Sequence, residues 1–191
     1  MEENTVITVG RQFGSGGKQV ALEIGRKLGI TVLDKELITE AAKESGLGKE
    51  MFEKMDEKKR LFSIQSGLGG NELFQIQSNV IRKIAEERAA VFVGRCSNYV
   101  LRDMKTLDVF ITAPADARTA RIMDRCKVTE KEATQMMEKQ DKSRAAYYNF
   151  FSFGNWGAAS DYDLCIDSSI LGIEGTADFI IEYGRKAGLI R

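Results

Sequence analysis

Short apolar runs alternate with stretches of helical periodicity along most of this chain. Val6, Ile7 and Val9 open the series, and Thr31-Val32-Leu33, Val91-Phe92-Val93, 107–111 and Leu164-Cys165-Ile166 follow. Near-continuous apolar runs bounded by polar turns predict strands buried on both faces. Between the first two, Val20, Ile24 and Leu28 recur at helical spacing, with the helix formers Ala21, Leu22 and Glu23 among them. Further helical patterns cover 35–45, 71–89, 114–127, 129–149 and 173–187. Thr129-Glu130-Lys131-Glu132 reads as a capping box, and Pro114 suits a first helical turn. Strands separated by helices predict an α/β sandwich around a parallel sheet, with ligand loops at the strand C-termini. The stretch 46–70, rich in charge and then in glycine (Gly67, Gly69, Gly70), reads as helix and flexible connection, an insertion rather than a second domain.

Composition narrows this little. The 191 residues fit one domain, and 43% apolar with 29% charged residues suits a globular core. The 28 basic and 28 acidic side chains cancel, so nothing global attracts nucleic acid or a membrane, and any anion site has to be local. No run approaches the roughly 18 apolar residues of a membrane span. Met1-Glu2-Glu3-Asn4 lacks the basic and apolar character of a leader, and Cys96, Cys126 and Cys165 have no metal-ligand spacing. Both features lead us to expect a cytoplasmic protein with reduced thiols. Histidine is absent, which excludes histidine triads and histidine metal sites but leaves phosphoryl transfer open.

The chemistry concentrates after the first strand. Gly14, Ser15, Gly16, Gly17, Lys18 and Gln19 join that strand to the first helix. Strand, glycine loop and helix in this order aim free backbone N–H groups and a helix dipole at a phosphate. The match to G-x-x-x-x-G-K-[ST] is imperfect: Gln12 replaces the first glycine and Gln19 the hydroxyl residue. A glycine turn without a ligand is the competing view.

Other candidates follow the later strands. Asp34 either meets an acceptor's hydroxyls or base, or simply caps the next helix. Arg95, after Gly94, either grips a phosphate or sits on the surface. Arg118, Arg121 and Arg125 share one helix face, either solvated or facing an anion. Asp141 and Arg144 share another, and form a local ion pair unless that helix closes over a substrate. The aromatic stretch 147–156 reads as packing or a subunit interface, a homodimer included, ahead of base stacking or a lid.

In this order the motifs resemble the cytidylate kinase-like branch of the nucleoside monophosphate kinases, over nearly the whole length. Residues 7–18 are similar to that branch's opening signature, and 33–38 to its second-strand motif. Val93-Gly94-Arg95 resembles a Gly-Arg-Asp segment whose arginine meets the acceptor phosphate. Residues 110–118, Asp141-x-x-Arg144 and 161–168 resemble the fourth strand with its helix, the lid and acceptor motif, and the last strand.

The resemblance implies a P-loop NTPase three-layer sandwich: a five-stranded parallel sheet, a helical acceptor-binding insertion (roughly 40–80) and a helical lid (roughly 118–156), forming one kinase domain over 1–191. It also implies Mg2+ and ATP, with the γ-phosphoryl group passing to CMP, dCMP or a similar nucleotide. On that basis Gly14 to Gln19 hold the donor phosphates, and Lys18, Arg118, Arg121 and Arg144 act in catalysis. Asp34, Arg95, Asp141 and Arg144 bind the acceptor. Four positions depart from the pattern. Gly17 takes the lysine position when the glycines are aligned, so Lys18 has to reach back. Gln19 leaves magnesium to Ser15 or solvent, Cys96 replaces an aspartate, and Gln140 replaces a lid arginine. An ATP-binding regulator, or a kinase of a small metabolite alcohol with Asp34 or Asp141 as base, are the alternatives.

Overall fold

The computed structural model describes residues 4–44 and 68–191. Its sheet is formed by β1 (Val6–Arg11), β2 (Thr31–Leu33), β3 (Ala90–Val93), β4 (Leu107–Thr112) and β5 (Leu164–Asp167). All pairings are parallel and the order is β2-β3-β1-β4-β5. The chain runs outward from β1 in one direction, returns, and continues in the other. The loop after β1 therefore sits where the winding reverses, the place where open α/β sheets bind ligands.

Alternation along β1 sets the two cores. Ile7 and Val9 face α1 (Gly17–Leu28) and α7 (Ser168–Lys186), meeting Val20, Ile24, Ala177 and Ile180 in a fully buried cluster. Val6 points the other way, with Phe92, toward α2 (Lys35–Glu44), α3 (Leu68–Glu87) and α4 (Ser97–Val100). Each fully buried aliphatic chain contributes about 2 kcal/mol of transfer free energy, so both faces of the sheet are fixed by burial. A third, smaller cluster of Ile122, Ala133 and Met137 joins α5 (Ala115–Cys126) to α6 (Glu130–Ser152), with Phe13 packed against it.

The element boundaries follow the sequence to within a few residues, and two of the differences turn on glycine. The first is α3, which begins at Leu68 and takes Gly69 and Gly70 into its first turn. Those glycines, expected in a flexible connection, are helical. The rest of that expected connection, and much of the expected insertion, lies outside the described residues. In the second, α7 runs from Ser168 but is broken at Gly172 (φ 68°, ψ −174°), so regular helix resumes at 173, as the periodicity predicts. The capping box at Thr129 and Glu132 is present, with the Thr129 amide donating to Glu132 Oε2 at 2.9 Å.

Candidate active site

Because the strands are parallel, the segments after β1, β2, β3, β4 and β5 gather at one edge of the sheet. After β1, the Gln12 amide donates to Ile111 O at 3.0 Å, and Ser15 N closes a turn onto Gln12 O at 3.3 Å. Gly14 (φ 80°) and Gly16 (φ 76°) both need the left-handed region. A Cβ on Gly14 would come within 2.8 Å of Arg118 O, and one on Gly16 within 2.5 Å of Ile173 Cδ1. Gly16 opens α1 without a side-chain cap, and the amides of Gly16, Gly17 and Lys18 have no acceptor among the described residues. Free amides at a helix N-terminus form an anion cradle.

A buried frame holds that loop. Asp141 Oδ1 accepts from Phe13 N at 2.7 Å, and Asp141 Oδ2 accepts from Arg118 Nη1 at 2.5 Å. The same Arg118 atom donates to Phe13 O at 3.3 Å, so the peptide groups around Phe13 are gripped from both sides. Ser168, fully buried at the head of α7, donates its hydroxyl to Ser15 O and receives Arg121 Nη1 at 3.0 Å.

On one side of the loop lies a cavity of about 380 Å3. Arg11, Arg95 and Arg144 all reach it. Arg95 arrives through three consecutive left-handed residues, Gly94 (φ 75°), Arg95 (φ 58°) and Cys96 (φ 55°). Each non-glycine residue held there costs about 1 kcal/mol or more, and backbone strain of this kind collects at functional sites. Arg95 lies over the Tyr147 ring at 4.8 Å, and its Nε is buried without a partner. Arg144 donates to Arg11 O at 3.0 Å. Burial, followed by the charges of Arg144 and Arg95, pushes Arg11 down to about 9. Opposite stands Asp34, whose Oδ2 lies 2.6 Å from Lys18 Nζ while Oδ1 accepts from the amides of Glu36 and Leu37. Burial raises the Asp34 pKa, but the Lys18 and backbone hydrogen bonds win and hold it below the usual carboxylate value. Asp34 thus caps α2 and lines the cavity at once.

On the other side lies a groove of about 350 Å3, lined by Gly14, Gly16, Gln19, Arg121, Arg125 and Ile173. The predicted residues therefore fall into three groups. Lys18, Asp34, Arg95 and Arg144 meet in the first cavity; Gly14, Gly16, Gln19 and Arg121 line the second. Ser15, Arg118 and Asp141 form the frame between them, which separates Asp141 from the acceptor side where the sequence placed it. Lys18 turns toward Asp34 rather than back over the loop, because the carboxylate offers it a partner.

The aromatic stretch also divides. Tyr147, Tyr148 and Trp156 line the cavity, Trp156 also meeting Phe110 edge-on at 5.4 Å, while Phe151 stacks on Phe74 at 4.0 Å and Phe150 and Phe153 are exposed. Sequence reasoning missed Arg11 and Ser168, and for Tyr147 it put packing or an interface ahead of base stacking. Only Arg11 carried a local signal, as a long cation at the end of an otherwise apolar strand.

A family model described as the cytidylate kinase-like family matches residues 6–170. The chain belongs to that family. A relative of this cytidylate kinase-like chain, named cytidylate kinase, from Methanococcus aeolicus, is 26% identical over 183 residues, covering 92% of this chain and 94% of its own. A crystal structure of an uncharacterized protein from Eubacterium ventriosum is 33% identical, with a TM-score of 0.78 over 94% of this chain and 98% of that one. Shikimate kinase from Acinetobacter baumannii, at 15% identity and a TM-score of 0.56 over 97% of this chain and 96% of that one, shares the fold. Family and fold together support a phosphotransferase of the nucleoside monophosphate kinase type.

Magnesium finds little here. Ser15 donates its hydroxyl to Gln12 O at 2.9 Å and is fully buried, so as placed its oxygen is closed off from a metal outside the loop. Among the described residues no cluster of three or more acidic, cysteine or histidine side chains could hold an ion. No described helix is long and apolar enough to cross a membrane.

Proposed function

We propose that this protein transfers the γ-phosphoryl group of ATP to a nucleoside monophosphate, with CMP and dCMP the leading acceptors. The observation that carries the reading is the meeting of Arg11, Arg95 and Arg144 in one cavity beside an uncapped helix N-terminus. Three guanidinium groups in one partly buried space repel one another until an anion enters, and arginine matches phosphate oxygens with paired hydrogen bonds.

The donor polyphosphate lies along the amides from Gly14 to Lys18, with the nucleoside in the groove lined by Gln19, Arg121 and Arg125. Arg95 and Arg144 hold the acceptor phosphate, and Asp34, set by Lys18, meets the sugar or base. An acceptor phosphate oxygen forms the new bond to the γ-phosphorus as the bond to the β–γ bridging oxygen breaks, leaving ADP. The acceptor is already an anion, so no strong base is needed. Charge neutralisation and exclusion of competing water by α6 carry the rate. Arg118 and Asp141 act through the loop they hold.

The test is a panel: ATP with each nucleoside monophosphate and with common phosphorylatable alcohols, reading ADP. Turnover with CMP or dCMP is expected. ATP binding without transfer would favour a nucleotide-sensing role, the second reading, which the inward-turned Ser15 hydroxyl and the absent hydroxyl at Gln19 support. Turnover with alcohols alone would overturn the acceptor assignment.

A further inference from the structure

We infer that Arg11 takes over the duty of the phosphate-loop lysine, and that Gly17 exists to let it. The inference rests on the phosphoryl-transfer reading for its role in rate, and on geometry for its position. In the ordinary loop a lysine follows the last glycine and reaches the β- and γ-phosphates. With Gly14 and Gly16 aligned to that pattern, Gly17 stands at the lysine position, and Lys18, one residue on, is drawn to Asp34 at 2.6 Å.

Arg11 fills the vacancy. A Cβ built on Gly17 would lie 2.5 Å from Arg11 Cβ and 3.0 Å from its Cγ, so the stem of Arg11 occupies the space a residue-17 side chain would need. At its far end, a Cβ on Gly94 would lie 1.9 Å from Arg11 Nη1 and 3.0 Å from Cζ. The side chain therefore runs from the start of α1, where the donor cradle opens, to the Gly94–Arg95 turn on the acceptor side. Its guanidinium lies at the Gly94 end of that run, in the cavity it shares with Arg95 and Arg144, while its stem borders the loop. No hydrogen bond or ion pair engages that guanidinium among the described residues. Gly17 has no positive φ, so the backbone there accepts a side chain and only Arg11 stands in the way. Lysine at 17 and arginine at 11 are sterically exclusive ways of delivering one cation.

The experiment compares wild type, Arg11→Ala, Arg11→Lys and the double variant Arg11→Gly, Gly17→Lys, in which glycine at 11 removes the Cβ that a residue-17 side chain would meet. Two readouts are used: steady-state kinetics with ATP and CMP, and calorimetric binding of inorganic tripolyphosphate. Thermal melts establish that each variant is folded. Arg11→Ala should lose about 10^3-fold in kcat, with a smaller change in KM for CMP, as loss of an arginine on a transferring phosphoryl group does. It should also bind tripolyphosphate at least about tenfold more weakly. Arg11→Lys should recover part of the loss, and the double variant should regain at least about tenfold over Arg11→Ala in both readouts. Wild-type turnover and binding in Arg11→Ala, or no gain from lysine at 17, would overturn the inference. If wild type phosphorylates no nucleotide while tripolyphosphate binding follows the predicted pattern, the kinase reading falls and Arg11 stands as the phosphate ligand.

Discussion

Lys18 Nζ lies 2.6 Å from Asp34 Oδ2, joining the first turn of α1 to the residue that follows β2. This contact turns the lysine nearest the loop toward Asp34, and both side chains line the cavity that holds Arg11, Arg95 and Arg144. It also orients a carboxylate that already caps α2 through Glu36 and Leu37.

The pair makes stability depend on pH in a defined window. Asp34 is held below its unfolded value of about 3.9, so its contribution is complete above that value and is lost as pH falls through the lower folded one. Asparagine caps helices as well as aspartate, so Asp34→Asn removes the charge and keeps the cap. Chemical denaturation should show wild type ahead by about 0.5 kcal/mol from about pH 5 to 8, a margin reduced by salt because Lys18 is half exposed. The margin should shrink below about pH 4. A difference independent of pH would contradict the assignment.

Arg95 and Arg144 should matter to rate more than to folding. Neither makes an ion pair among the described residues, so truncation leaves no buried counter-charge. Steady-state kinetics of Arg95→Ala and Arg144→Ala with CMP should show kcat/KM reduced by about 10^2-fold or more, with ATP binding by calorimetry retained. Unchanged kcat/KM in both would remove them from the acceptor site.

Asp141 behaves as structure. Its side chain and that of Arg118 are 17% and 10% exposed, and Asp141→Ala would strand a buried guanidinium as well as the Phe13 amide. Breaking such a pair from one side costs about 3 kcal/mol, whereas replacing both partners by apolar residues costs much less. Urea denaturation of Asp141→Ala against Asp141→Leu, Arg118→Met should show the single variant as the weaker protein.

The thiols should separate by reactivity. Cys96 is buried in the left-handed turn and burial pushes it up to about 12, Arg95 opposing only weakly, so it stays a protonated thiol at neutral pH. Cys165 is exposed. Timed alkylation with iodoacetamide, read by peptide mass, should label Cys165 well before Cys96. Faster labelling of Cys96 would show that the turn opens.

Strand positions, the parallel sheet and most helix limits were legible because apolar runs such as Val91-Phe92-Val93 can satisfy themselves only inside a covered sheet. The loop was legible because Gly14 and Gly16 are needed for φ as well as for close approach. Direction was harder to read. Spacing put Asp141 and Arg144 on one helix face, but only the packed fold reveals that one grips Phe13 and Arg118 while the other reaches the cavity. Nor does the aromatic pattern reveal that Tyr147, Tyr148 and Trp156 line the cavity while Phe151 packs on Phe74. The roles of Gly17 and Gly94 emerge only once Arg11 lies across both, a contact between residues 83 apart that no local pattern encodes.

The most direct test of the account supplies ATP carrying a radioactive γ-phosphorus, together with CMP, in a single turnover, and separates the products. The label should appear in CDP, one for each ADP formed, and transfer should fall sharply in Arg95→Ala. Label retained in ATP, or released solely as inorganic phosphate with every nucleoside monophosphate offered, would contradict it.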